Sequence, residues 1–254
     1  MTTPVTTRER LPSQPAERPA GGEVDIEYPC SDGRPMADNT VQYRWIVTIK
    51  ENLEYLYRDR PDVFVAADNF IYPVQGNPNI RQAPDVYVAF GRPKGDRPSY
   101  KVWEEENIFP QVIFEIWSPN NREGEMARKR AFYRRYGAEE YYVYDPDTRV
   151  LEVWLRDNGN DFREVMEVQN FVSPRMGVRF ELREGEDLRM YHPDGQPFLS
   201  VAELWQLREQ LSTAYEAEKQ RAEMERQRAE AAERKLQRLQ QLLQARGITW
   251  EDNS

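Results

Sequence analysis

The chain has 254 residues, of which 39% are hydrophobic and 31% charged, and its net charge is −9. This length suits one substantial domain with appended segments, and the acidic balance argues against a protein that coats nucleic acid through overall charge. The single cysteine, Cys30, excludes an internal disulfide and fits a reducing cytoplasm. Because no apolar run is long enough to cross a bilayer, we expect a cytoplasmic protein without a membrane segment.

The N-terminal part of the chain is predicted to be a tail followed by a helix. Residues 1–23 are rich in Thr, Arg and Pro, a composition typical of disorder. Between Asn39 and Tyr57 apolar residues recur at helical spacing, which predicts an amphipathic helix. Residues 63–67 and 70–72 then have the apolar, β-branched and aromatic composition of strands, and a polar loop leads to Asp85.

The middle of the chain alternates strand and helix patterns. Residues 85–90 and 112–117 are predicted strands, and residues 126–134 suit a helix with a cap at Asn120 or Asn121 and a stop at Gly137. Residues 140–145 and 150–155 are again predicted strands. Residues 162–168 and 178–182 are predicted to continue the same sheet.

The C-terminal segment, residues 201–246, is predicted to be one long charged helix, followed by a tail at 247–254. Two seven-residue series run along it, namely Tyr215, Ala222, Ala229, Leu236, Leu243 and Leu211, Glu218, Glu225, Ala232, Leu239. Their ends are typical of a coiled-coil seam and their middle is not. The pattern therefore leaves two alternatives, a solvated single helix or a coiled coil that joins copies into a homo-oligomer.

Two carboxylates interrupt the predicted core strands. Asp85 lies in the run APDVYVAF and Glu115 in VIFEIWSP, and a buried carboxylate is costly unless a positive group meets it. If both reach the same end of a sheet, they can hold a hard cation, as in metal-assisted phosphodiester cleavage. Asp85 could instead begin a strand or cap a turn, and Glu115 could pair with a buried Arg or Lys.

A basic helix follows Glu115. Residues 121–135 contain two Glu and six basic residues, Arg122, Arg128, Lys129, Arg130, Arg134 and Arg135, a local net charge of +4. Such a surface suits phosphate, and we interpret Arg122, Arg128 and Arg130 as candidates for DNA binding. Lys129 is either a catalytic cation or one charge on a solvated helix face.

Five motifs together resemble the Uma-two family of endonucleases, which belongs to the PD-(D/E)XK superfamily. They are PD at 84–85, SYKVWEE at 99–105, FEIWSP at 114–119, KRAFY at 129–133 and YGAEEYYVYDP at 136–146. The resemblance implies an α/β domain over residues 24–200, with a restriction-endonuclease-like mixed sheet flanked by helices. It also implies a metal held by Asp85 and Glu115, and a lysine that has moved from the strand position of Trp117 to Lys129.

The resemblance further implies that an acid on the first helix completes such sites, and both Glu51 and Glu54 are candidates. Our hypothesis is a DNA endonuclease that uses Mg²⁺ or Mn²⁺, held by Asp85, Glu115 and the carbonyl of Ile116, with Lys129 as the catalytic cation. The alternative is a nuclease-fold module of weak or absent activity that binds DNA or protein and oligomerises through its C-terminal helix.

Overall fold

A computed structural model of the chain describes residues 26–31, 33 and 37–247. The predicted tails at 1–23 and 247–254 lie outside these residues, apart from Gly247. The helices are α1 (Thr40–Leu56), α2 (Glu123–Tyr136) and α3 (Val201–Ala245), with a 3₁₀ turn at Val102–Glu104. The strands are β1 (Val63–Ala66), β2 (Ile71–Tyr72), β3 (Val86–Phe90), β4 (Tyr100–Lys101), β5 (Val112–Ile116), β6 (Glu140–Asp145), β7 (Val150–Arg156), β8 (Phe162–Glu164), β9 (Phe171–Val172), β10 (Arg179–Glu181) and β11 (Arg189–Tyr191).

Six strands form the central mixed sheet in the order β1-β3-β5-β6-β7-β8. Strands β5 and β6 are parallel, with α2 between them in sequence, and the other neighbours are antiparallel. This confirms the predicted mixed α/β fold. The prediction that residues 178–182 continue this sheet was wrong, because β10 pairs only with β9 and β11 in a separate three-stranded sheet.

Each face of the central sheet carries its own hydrophobic core. On one face α1 and the small sheet pack over the strands, through side chains such as Ile49, Phe114 and Phe180. On the other face α2 packs over the alternate residues of the same strands, with Met126 and Tyr133 against Ile113. Successive side chains of a strand point to opposite faces, and this double burial explains why β5 is apolar at every position except Glu115.

The ends of the helices follow local chemistry. The side chain of Asn39 accepts a hydrogen bond from the Gln42 N–H at 2.8 Å and begins α1. The predicted cap of α2 at Asn120 or Asn121 was wrong. Arg122 stands at that position without a side-chain cap, and the Asn121 side chain instead accepts from the Ser118 N–H. Gly137 ends α2 in a left-handed conformation (φ 120°), as predicted.

Helix α3 is unlike the other two, because none of its 45 residues is buried. Ser200 and Glu203 form a reciprocal capping box at its start. The segment before it is tied to α1, where the Asn52 side chain both donates to the Leu199 carbonyl and accepts from the Leu199 N–H. Across the described ranges, no helix has the length and apolarity needed to span a membrane.

The cap of α2 gives a test of the fold. We expect Gly137→Ala to lower the free energy of unfolding by about 1–2 kcal/mol, because an L side chain is strained at this backbone conformation. Gly124→Ala, in the first turn of the same helix, is the matched control and should be neutral or stabilising. Urea denaturation of both variants measures the difference, and equal effects would contradict the assigned cap.

Candidate active site

The register of β3 and β5 brings Asp85 and Glu115 to the same end of the central sheet. Val86 lies opposite Phe114, so Asp85, one residue before β3, is level with Glu115. The Asp85 carboxylate accepts a hydrogen bond from the Ile116 N–H at 2.5 Å. By strand alternation both side chains lie on the face that α2 covers, and both are buried, with 8% and 2% of their surfaces exposed.

Helix α2 supplies two donors to Glu115. Lys129 Nζ lies 2.8 Å from Glu115 Oε2, and the Tyr133 hydroxyl donates to Oε1 at 2.7 Å. Residues four apart lie on one face of a helix, so α2 presents both groups together. A carboxylate offers about four lone-pair sites, which leaves Glu115 free to accept further ligands.

Helix α1 contributes an amide and no acid. The Gln42 side chain lies 3.2 Å from the Ile116 carbonyl oxygen and 3.5 Å from Asp85 Oδ1. The structure does not bring Glu51 or Glu54 to this point. Glu51 is exposed beside Lys50 and Glu54 pairs with Lys94 at 2.6 Å. Because they lie nine and twelve positions beyond Gln42, they are about 14–18 Å further along the helix axis.

Two acids, Asp85 and Glu115, share one basic group, Lys129, and this determines the electrostatics of the cluster. Burial, and secondarily the nearby Glu115 carboxylate, raises the pKa of Asp85 to about 8, against the opposing effects of Lys129, the Ile116 N–H and Gln42. Burial also disfavours the ammonium of Lys129, but Glu115 and Asp85 together outweigh burial and raise the pKa of Lys129. The lysine is therefore charged, and one positive group serves two carboxyl groups.

A cavity of about 440 Å³ opens beside the cluster. It is lined by Gln42, Asp85 and Lys129, and by Asp38, Asn121 and Glu125. The Ser118 hydroxyl donates to Asp38 at 2.5 Å and the Ser118 N–H donates to Asn121, so the loop after β5 is fixed against the start of α1. Asp85 and Lys129 thus line a cavity that is open to solvent, whereas Glu115 is not part of its lining.

The other buried acids of the described chain have structural roles. Glu105 is neutralised by Arg92 at 2.9 Å and Arg97 at 2.5 Å. Glu140 accepts from the Ser173 and Tyr142 hydroxyls and the Arg175 N–H, although burial still raises its pKa. Only Asp85 and Glu115 combine mutual proximity, a shared lysine and an adjoining cavity, which is why we identify this cluster as the candidate site.

A larger cavity of about 810 Å³ lies between α1, β11 and the start of α3. Its charged groups include exposed ion pairs, such as Arg149 with Asp187 and Arg189 with Glu186, both at 3.1 Å. It contains no buried carboxylate. Size alone would select this cavity, but the chemistry selects the smaller one.

The arginines predicted to bind DNA have different surroundings. Arg122 and Arg128 are exposed, and each is next in sequence to a residue that lines the cavity, Asn121 and Lys129 respectively. Arg130 stacks on the Trp154 ring at 3.9 Å and lies 3.9 Å from Glu152, so its charge is already engaged. Trp117 packs against the core on the α2 face, the same face as Glu115, as its spacing predicted.

The donor set suits a hard divalent cation. Asp85, Glu115 and the Ile116 carbonyl offer only oxygen atoms, the ligands that Mg²⁺ and Mn²⁺ prefer. Within the described ranges there is no cluster of three or more His, Cys, Asp or Glu side chains arranged to hold a metal. Two carboxylates are nevertheless the number with which Mg²⁺ is commonly bound when waters and a substrate phosphate complete its shell.

Sequence reasoning missed Gln42 and Tyr133 as members of the site. Tyr133 could have been found, because it follows Lys129 by four residues on the same helix and a hydroxyl is a natural partner for a buried carboxylate. Gln42 carried no such signal, since an amide in the first turn of an amphipathic helix is ordinary and its contacts join residues far apart in sequence.

The raised pKa of Asp85 predicts a stability effect in EDTA. A carboxyl whose folded pKa exceeds its unfolded pKa stabilises the fold when protonated, and this contribution is lost as pH rises from about 4 to about 8. Asp85→Asn mimics the neutral form. The free energy of unfolding of the variant, relative to that of wild type, should therefore rise over that range, by ~1.4 kcal/mol or more at pH 8. Urea denaturation at several pH values measures this, and a constant difference would contradict it.

Comparison with known proteins identifies the family of the chain. The profile of the Uma2 family, described as "Putative restriction endonuclease", matches residues 17–191. One similar solved structure is a "putative nuclease belonging to DUF820" from Anabaena variabilis, with 13% identity, a TM-score of 0.39, and coverage of 54% of this chain and 72% of that chain. No curated protein matches the chain significantly. Because the profile match spans well over half of the sequence, the chain belongs to the Uma2 family.

Proposed function

We propose that the protein is a DNA endonuclease that depends on Mg²⁺ or Mn²⁺. The observation that carries this proposal is the buried cluster of Asp85, Glu115 and Lys129 beside an open cavity. Membership of the Uma2 family supports nucleic acid as the substrate class. The preference for DNA and the need for a divalent cation are proposed beyond what family membership gives. A cytoplasmic location remains a prediction from the sequence.

Three groups of this chain hold the cation in our proposal, the carboxylates of Asp85 and Glu115 and the carbonyl of Ile116. When bound, the cation supplies Lewis acidity to the scissile phosphate and makes water a better nucleophile. Hydrolysis adds water to phosphorus and breaks one ester bond, which yields a phosphate monoester and a hydroxyl group. Asp85 must be ionised to act as a ligand, so its raised pKa links cation binding to the loss of a proton.

Lys129 and Tyr133 have separate roles in this proposal. The Lys129 ammonium borders the cavity and is held charged by its two carboxylate neighbours, so it can stabilise negative charge on the phosphate or orient the attacking water. Tyr133 is fully buried, and its hydroxyl donates to Glu115 Oε1. We assign it to positioning, because it fixes the orientation of a carboxylate that would otherwise rotate.

The rest of the chain fits this assignment. Arg122 and Arg128 are exposed next to the cavity-lining residues Asn121 and Lys129 in sequence and can contact DNA phosphates. Arg130 is a weaker candidate, because it contacts Trp154 and Glu152. Residues 24–200 form the nuclease domain in our proposal, and α3 is a separate element through which copies associate. The exposed leucines of α3 are the observation that favours this association.

The first test is nicking of supercoiled plasmid DNA. We expect nicking by wild type with Mg²⁺ or Mn²⁺ and none with EDTA. Asp85→Asn and Glu115→Gln should each reduce the rate by about 10³-fold or more, and Lys129→Met by about 10²–10³-fold, because each removes charge from the site. Glu140→Gln is the matched control, a buried acid outside the cluster, and should retain most of the activity.

Equal nicking by wild type and Asp85→Asn would exclude the proposed site. Loss of activity in all variants, including Glu140→Gln, would point to a folding defect, which circular dichroism of each variant detects.

The second test measures binding of the cation alone. A ligand bound only by the folded state stabilises it by about 2.7 kcal/mol at a hundredfold excess over Kd, so Mg²⁺ or Mn²⁺ should raise the Tm of wild type. Asp85→Asn and Glu115→Gln should show no rise, whereas Glu140→Gln should behave as wild type. Calorimetry that detects no binding to wild type would favour the alternative of a nuclease-fold binding module without catalytic activity.

A further inference from the structure

Helix α3 exposes a continuous apolar and charged stripe that the described chain leaves uncovered. The first series of the stripe is Leu204, Leu211, Glu218, Glu225, Ala232 and Leu239, and the second is Leu207, Ala214, Arg221, Arg228, Lys235 and Leu242. The two series alternate at steps of three and four residues, the spacing of a coiled-coil seam. The row Tyr215, Ala222, Ala229, Leu236 and Leu243 runs along one edge of this stripe. Its five leucines are between 43% and 62% exposed, and a stable helix normally buries such a stripe.

The opposite side of α3 is the solvent side. It carries a row of glutamates at the same seven-residue spacing, namely Glu209, Glu216, Glu223 and Glu230. Helix α3 is therefore amphipathic over most of its length, with one acidic side and one side that needs a partner. The stripe is apolar at both ends and charged in the middle, and this order determines which partner fits.

A parallel second copy does not fit the middle of the stripe. In a parallel pair in register, each residue faces its own equivalent. Glu218 would face Glu218, and Arg221, Glu225 and Arg228 would likewise face their own copies. Four successive layers would then place like charges together in the seam, which is destabilising.

An antiparallel second copy fits the whole stripe. When Glu218 lies beside Arg228 of the second copy, Arg221 lies beside Glu225 of that copy, and the twofold axis repeats both pairs. The same register sets Leu204 beside Leu242 of the second copy and Leu207 beside Leu239. Leu211 meets Lys235, whose aliphatic stem can cover it. Charge complementarity in the middle and apolar contact at both ends therefore select one direction and one register.

We propose that two copies of this chain associate through α3 as an antiparallel helix pair, with Glu218 and Arg221 of each copy bound to Arg228 and Glu225 of the other. This inference rests on the proposed self-association of α3 and adds its direction and register. A helix of 45 residues is about 67 Å long, and the nuclease domain is attached at its N-terminal end. The two nuclease domains of the dimer are thus at opposite ends of the helix pair.

Charge reversal in the full-length protein tests the register. Glu218→Arg and Arg228→Glu each set like charges against the other copy and should weaken dimerisation on the order of tenfold or more, measured by sedimentation equilibrium. The double variant Glu218→Arg/Arg228→Glu restores opposite charges and should recover wild-type association. Glu216→Arg, on the acidic side, is the matched control and should have no such effect. Singles that behave as wild type would overturn the register.

Disulfide trapping tests the direction. In a Cys30→Ser background, Leu204→Cys chains mixed with Leu242→Cys chains should form a mixed disulfide, and neither variant should cross-link to itself. Equivalent positions at the ends of an antiparallel pair are about 57 Å apart, far beyond the ~7 Å limit between disulfide Cα atoms. Self-cross-linking of each variant would show a parallel pair and overturn only the direction. A wild-type monomer at all concentrations would overturn self-association as well.

Discussion

The candidate site depends on one electrostatic constraint: two buried carboxyl groups lie close together and share the charge of a single lysine. Like charges in a low-dielectric setting repel strongly, and burial alone already disfavours the ionised form of Asp85. The fold tolerates this arrangement because the Ile116 N–H, the Tyr133 hydroxyl and the Lys129 ammonium each contribute a donor. Once Asp85 loses its proton, the one lysine faces two carboxylates, and the remaining negative charge is what a divalent cation would neutralise in the proposed function.

The rest of the domain holds these groups in register. Asp85 and Glu115 are fixed by strand pairing, since a slip of one residue in β3 would turn Asp85 to the opposite face. Lys129 and Tyr133 are fixed by the burial of α2 against the sheet, where Met126 packs at one end and the Gly137 cap ends the helix. Helix α1 closes the site from the side through Gln42, which contacts both Ile116 of β5 and Asp85, the residue before β3. Three elements thus converge on a point at the end of the sheet.

Much of this arrangement could be predicted from the sequence, and the reason differs from residue to residue. Asp85 and Glu115 were recognisable because each interrupts an apolar run of the sequence. Lys129 was recognisable because it lies on a basic helix and begins the motif KRAFY, which resembles the family. Neither Glu51 nor Glu54 lies at the cluster. Helical periodicity identifies the face of α1 but not which turn meets the sheet. The small β10 sheet was also misassigned, since a short strand carries no information about its partner. Pairing between distant segments is decided by packing, which local pattern does not encode.

The length of α3 has a consequence for how a dimer could act on DNA. A DNA duplex rises by about 3.4 Å per base pair. A helix pair about 67 Å long therefore matches the axial rise of roughly twenty base pairs. Two catalytic centres held at opposite ends of such a helix pair cannot meet across one position of the duplex. An antiparallel dimer would thus favour two separate single-strand breaks over one double-strand break, and the length of α3 would set the distance between them.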